Sequence, residues 1–181
     1  MQVVKMNRLK ITLRNIVIII ILFLLFLNRS GLYLTPVSAH ESSERSIHYG
    51  PSEVVYIENY NEGKHILGKY DKWISCNTVE KELYFFWKFG SQVTGIENDK
   101  SKALCYSWNA SHQYYKCYGI RNDARIEKVE IILYNDDVYE TTDFYEDLFL
   151  ITWESSNDND YYIKSIKGYD KDNKIIFEEN R

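Results

Sequence analysis

The first forty residues of this chain contain no acid: none precedes Glu41. The sequence also lacks the short motifs that announce common chemistries. It has no glycine-rich phosphate loop, no G-x-S-x-G nucleophile elbow and no H-E-x-x-H metal pair. Its histidines, His40, His48, His65 and His112, are scattered without the short spacing that brings three or four zinc ligands together. Neither a metal nor a cofactor is expected, and no catalytic residue can be assigned. Only two prolines occur, and there is no internal repeat or low-complexity tail.

What is there begins with Ile16–Leu27, twelve uninterrupted apolar residues. As a helix this run would be about 18 Å long, short of the roughly 30 Å hydrocarbon core of a bilayer. That length suits the apolar region of a signal peptide. Lys5, Arg8, Lys10 and Arg14 precede it, an excess that holds an N-terminus in the cytoplasm. Gly31 and Pro36 follow as helix breakers. Val37-Ser38-Ala39 then offers small residues for signal cleavage between Ala39 and His40. Against cleavage, Asn28–Ala39 is long for that region, and Leu32, Tyr33 and Leu34 extend its apolar character. Two expectations therefore stand: a signal peptide ending at residue 39, or an uncleaved anchor holding the membrane through residues 11–34.

Charge divides at the same place. Five of the 22 Lys and Arg and none of the 26 Asp and Glu precede residue 40. That leaves 17 cations against 26 anions, a net charge of −9, on residues 40–181. Such a body is a poor partner for nucleic acid, whose binding is dominated by phosphate attraction. The charge also keeps a small domain soluble. The 142 residues suffice for one core. The polar stretch 40–52 reads as a flexible linker, and residues 53–181 as one β-rich extracytoplasmic domain, because Tyr, Phe and Trp total 28 and favour strands.

Residues 52–60 suit a strand or a helix start, and 65–70 a weak strand. Asn77 with Glu80 resembles a capping box, yet Leu83–Phe89 is almost solidly aromatic. The expectation is a turn at Asn77–Thr78 and a strand over Glu82–Phe89. Further on, 102–108 and 113–119 flank a polar turn at 109–112. Residues 126–134 place Val129, Ile131 and Leu133 on one face, and 147–153 is apolar on both faces, as in a central strand. Ser155–Asp160 reads as a polar loop. Asp170–Asn173 joins a last hairpin, 161–169 with 174–178. This succession predicts a mainly β fold, an antiparallel sandwich or strongly bent sheet, behind the N-terminal apolar helix.

The segments Tyr118-Gly119-Ile120, Ile126-Glu127-Lys128-Val129, Phe149–Trp153 and Ile166-Lys167-Gly168-Tyr169-Asp170 resemble the C-terminal β module of small exported proteins from Bacillus-like bacteria. The resemblance covers about residues 82–178 and rests on turn and core residues. It implies a β-rich exported fold and carries no catalytic residue across. The abundance of Ile, Lys, Asn and Tyr gives the same low-GC bacterial impression.

Two constellations invite a functional reading. With the hairpin centred on Ser111, Cys105 faces Cys117, and an exported protein could bridge them; the alternative is two buried thiols, with Cys76 left over. The same register sets Trp108 opposite Tyr114, an aromatic pair that is a binding patch if exposed and core if covered. Asp170-x-Asp172 begins like a calcium loop, but Lys174, Ile175 and Arg181 stand where its later ligands belong. Asp158-Asn159-Asp160 with Glu154 reads as a solvated loop. Asn109-Ala110-Ser111 is a glycosylation sequon that in a bacterial chain is only a turn. The functional expectation is an exported or membrane-anchored, non-enzymatic envelope protein that recognises a protein, peptide or wall component. The alternative is a small extracellular hydrolase using acidic residues on a β scaffold.

Overall fold

The computed structural model describes residues 2–61, 63–90, 95–111, 113–155 and 162–181, and the side chains of these except at 2–9, 28 and 111. Among these residues, two helices precede twelve strands. Helix α1 (Gln2–Ser30) is continuous, so the apolar run belongs to a longer rod. Its window Lys10–Leu27 has a mean hydropathy of 2.4. Eighteen residues rise about 27 Å, close to the bilayer core, where the twelve-residue run alone fell short. Helix α2 (Pro36–Ser46) starts on Thr35, whose side chain accepts from the Ser38 N–H, with Pro36 at the first helical position.

The strands form three antiparallel sheets. The first holds β1 (Glu53–Tyr60), β2 (Gly63–Tyr70), β3 (Trp73–Glu82) and β4 (Phe86–Phe89) in that order, with β5 (Ile96–Glu97) also on β3. The second holds β10 (Leu148–Glu154), β7 (Tyr114–Arg121) and β6 (Leu104–Ser111). The third runs β12 (Ile175–Asn180), β11 (Ile163–Tyr169), β8 (Lys128–Leu133), β9 (Val138–Thr141). The expected mainly β, antiparallel architecture is what the chain adopts, behind its N-terminal apolar helix.

Alternation along each strand stacks these sheets. From β7, Tyr115 and Cys117 join Phe149, Ile151 and Trp153 of β10 against Val129, Ile131 and Leu133 of β8 and Ile163 and Ile166 of β11. The opposite face of β7 turns Tyr118 and Ile120 toward Leu67, Ile74 and Cys76 of the first sheet. The outer face of the first sheet, Ile66 and Val79, is covered by Ala39 of α2. The order is thus α2, first sheet, second sheet, third sheet. The second sheet has a core on each side, which is why 147–153 reads as apolar on both faces.

This layering corrects the placement of 147–153. Among the described residues, strand β10 pairs with β7 alone and is an edge in hydrogen bonding. It is apolar on both faces because a core lies on each side of it. Asn77 and Thr78 also differ from expectation. They lie inside β3, fully buried, and the turn comes at Leu83–Phe85 instead. Leu83 and Tyr84 there take positive φ values of 46° and 66°. Asn77 points its amide at α2 and Thr78 its hydroxyl at the second sheet, so two turn-forming side chains find partners within a strand.

The hairpin of β6 and β7 forms as expected but in another register. Cys105 pairs with Ile120 and Trp108 with Cys117. The turn is shorter than the polar sequence suggests, because Ser111 itself pairs with Tyr114. Cys105 and Cys117 therefore face opposite sides of the sheet, in different cores, and all three cysteines are free and buried. The expected Cys105–Cys117 bridge is not formed. Burial raises the Cys76 thiol to about 11 and lifts Cys117 as well. After denaturation without reductant, alkylation should add three adducts per chain by intact mass. A single adduct would restore the bridge.

The flexible linker expected over 40–52 is replaced by α2 and a buried polar lock. His40 and Glu44, at 0% and 1% exposure, lie one helical turn apart, with His40 Nε2 3.2 Å from Glu44 Oε1. Glu44 Oε2 accepts the Ser52 N–H at 3.0 Å, and Oε1 accepts the Ser52 hydroxyl. Asn77 Nδ2 lies 3.0 Å from His40 Nδ1. With Nδ1 accepting, the proton sits on Nε2 and the ring is neutral, as the burial that lowers its pKa requires. Glu44→Ala should lower unfolding stability by about 2–4 kcal/mol, since it strands three donors on two neighbours, Ser52 and His40. Denaturant midpoints check this, and an unchanged midpoint would contradict the lock.

Candidate functional site

The first and second sheets leave a cavity of about 300 Å³ at one end of their interface. That is the small end of the range for ligand sites. Asn59, Tyr60 and Asn61 at the end of β1 form one side, Tyr114 and Tyr115 of β7 and Thr152, Trp153 and Glu154 of β10 the other, with His65 between them. The walls are aromatic and polar together. Tyr60 stacks on His65 at 4.5 Å and tilts against Tyr114 at 4.7 Å.

Behind His65 the polar chain continues inward. His65 Nδ1 lies 3.2 Å from Thr78 Oγ1, and Lys116 Nζ donates to the same hydroxyl at 2.5 Å. A protonated amine only donates, so the Thr78 oxygen accepts from Lys116 while the same hydroxyl contacts the His65 ring nitrogen. Burial, then the nearby Lys116 charge, holds His65 down at about 3. At neutral pH this ring is a fixed hydrogen-bonding group. A general acid or base would need a value near the working pH. Its depressed value also means stability is lost as pH falls from about 6.5 toward 3, where the unfolded chain binds the extra proton.

Lys116 is the least comfortable residue in the domain. It is 1% exposed, and burial lowers its amine to about 8. Its amine donates to Thr78, and no carboxylate among the described residues offsets its burial. Its place follows from strand alternation: Lys116 shares a face with Tyr114, Tyr118 and Ile120, toward the first sheet. A lone cation in Tyr-Tyr-Lys-Cys-Tyr-Gly-Ile was the available sequence signal. His65, Tyr60 and Thr78 had none beyond residue type.

The aromatic pair read from the sequence is separated. Trp108 lies on the face toward the third sheet, packed on its core and edge-on to Tyr162 at 5.6 Å. Tyr114 is buried on the opposite face, where it lines the cavity. The pair is lost because the register is offset by three residues from a Ser111-centred hairpin. Ala39 and His40, the expected cleavage pair, sit buried in α2. Asp170 accepts the N–H groups of Asp172 and Lys174, which explains it as a hairpin turn. His112 and Asp158–Asp160 lie outside the described residues. Among the described residues, no three His, Cys, Asp or Glu side chains cluster as a metal site.

A second opening, about 590 Å³, involves Arg121, Lys128, Phe144 and Asp170. Its guanidinium is already engaged: Arg121 lies over Phe144 at 4.0 Å, donates to Asp147 at 3.0 Å and caps the Ile126 carbonyl at 2.7 Å. The smaller cavity is the better-formed candidate. Among the described residues it offers amide, hydroxyl and aromatic groups with one carboxylate, Glu154, a set suited to binding a small polar or aromatic group. Compared with known protein families, characterised proteins and solved structures, the chain matches none.

Lys116→Met should stabilise the domain at pH 7, by about 3 kcal/mol if the shift to about 8 is fully felt. The sign follows from proton linkage: between about 8 and 10.5 the unfolded chain holds the proton that the folded one has lost. Wild-type stability therefore gains on the variant as pH rises through that window. Paired denaturant titrations at pH 7 and pH 10 measure the difference. A difference independent of pH would contradict the buried charge.

Proposed function

We propose that this chain is a single-pass, membrane-anchored extracytoplasmic protein, with its N-terminus in the cytoplasm, that acts by contact. Its partner would be a protein, peptide or wall component at the cell envelope. The observation that carries the reading is the packing of the apolar helix onto the β domain. Phe23 of α1 lies 6.4 Å from Phe86 of β4, and Leu27 is buried. Tyr33 and Trp87 exchange backbone hydrogen bonds of 2.8 Å, and α2 follows directly. Cleavage before His40 would remove the Thr35 cap, the Tyr33 bridge and the Ala39 core contact. The retained anchor is therefore favoured over the cleaved signal. The cations before α1's apolar window support the orientation. The resemblance to small exported proteins of Bacillus-like bacteria points the same way.

Contact is favoured over hydrolysis by the cavity's chemistry. An acid-pair mechanism needs two carboxyl groups across the substrate, and among the described residues Glu154 is the one carboxylate lining the cavity. Expressed in a bacterial host, the protein should remain in membranes with its full mass of 21.6 kDa and be digested by protease added outside the cell. Release into the medium of a chain beginning at His40 would overturn the anchor. Turnover of wall glycan that stops on Glu154→Gln would overturn the contact reading.

A further inference from the structure

The β3–β4 turn carries three consecutive apolar residues that stand exposed. Leu83, Tyr84 and Phe85 are 59%, 91% and 65% exposed. The turn is tight: the Phe85 N–H reaches the Leu83 carbonyl at 2.9 Å, and two residues other than glycine take left-handed backbone there. Such a turn costs backbone strain and exposes apolar surface, a combination with no structural return in water.

Its position suggests the return. Phe85 packs on Phe86 at 4.5 Å, and Phe86 meets Phe23 of α1. Phe23 lies four residues before Leu27, the end of the apolar window, so the contact sits about 6 Å inside that end along the helix axis. A bilayer around the window would therefore reach the turn. Burial of about 5–10 Å is the depth at which apolar faces of membrane-surface segments rest. The turn itself bears no charge, while Lys81, Glu82 and Lys88 stand behind it, with Lys88 paired to Glu82 at 2.8 Å. Trp87 and Tyr33, bonded to each other beside the helix exit, are residue types enriched where lipid meets water.

We propose that Leu83–Phe85 inserts into the outer leaflet of the same bilayer that α1 crosses, so that the domain is held at two points and cannot swivel about its anchor. The occupant of this apolar patch is lipid. The inference rests on α1 spanning the membrane, and the test separates the two claims. Full-length protein is reconstituted in phosphatidylcholine vesicles with an environment-sensitive fluorophore on Tyr84→Cys or, separately, on Ile20→Cys near the middle of the apolar window. The native cysteines are buried, and Tyr84 is exposed enough to replace without loss of folding. The label at 84 should shift to the blue, lose most of its emission to lipids carrying a shallow doxyl group and resist aqueous iodide. The label at 20 should be quenched by deep doxyl groups. Quenching at 20 with free iodide access at 84 would overturn the insertion and leave the anchor standing. Shielding at 84 from both quenchers would mean a second copy or another protein covers the turn, and would also overturn it. No lipid quenching at either position would remove the anchor and the insertion together.

Discussion

A carboxylate sealed from water at Glu44 joins the N-terminal helices to the β domain. Burying it is unfavourable unless its oxygens are satisfied, and here they are, by the N–H and hydroxyl of Ser52 and by His40. Asn77 completes the tie from the middle of β3. The four participants come from three parts of the chain: His40 and Glu44 from α2, Ser52 from the segment before β1, and Asn77 from a strand of the first sheet. The lock therefore fixes α2 over Ile66 and Val79, and α2 sets where the chain emerges from α1. Without it the acidic domain would hang on a polar tether. With it, the proposed anchor and the sheets form one body.

The second constraint is the double burial of the middle sheet. Strands β7 and β10 must be apolar on both faces, and Lys116 breaks that rule at a fully enclosed position. Replacing such a cation by a hydrophobe is the ordinary route to greater stability. Its presence beside Thr78 and His65, one layer behind the cavity, marks this end of the sheet interface as the place where stability has been given up. The same burial holds His65 neutral at pH 7.

Much of the fold was legible because strand alternation is a local property. Val129, Ile131 and Leu133 fall on one buried face as the period predicts, and the hairpins around 135–137 and 170–173 close where their polar residues stand. Register was not legible. Whether Cys105 faces Cys117 or Ile120 depends on turn length, and the polar residues Asn109 and Ser111 belong to β6. That shift dissolved both the disulfide and the Trp108–Tyr114 pair. The helix α2 was missed for a related reason. Its sequence is polar, and beside Ala39 its buried residues are His40, Ser43 and Glu44, whose burial depends on partners remote in the chain. Asn77 and Thr78 misled likewise, since turn formers that find buried partners are at home in a strand.

The central claim is that residues after the apolar helix are part of the folded domain. Amide hydrogen exchange across Pro36–Ser46, in the detergent-solubilised full-length chain, tests it most directly. The account predicts that these amides, beyond the first turn of α2, are protected as strongly as those of β2 and β3. Exchange at the rate of an open chain, with the sheets still protected, would contradict it.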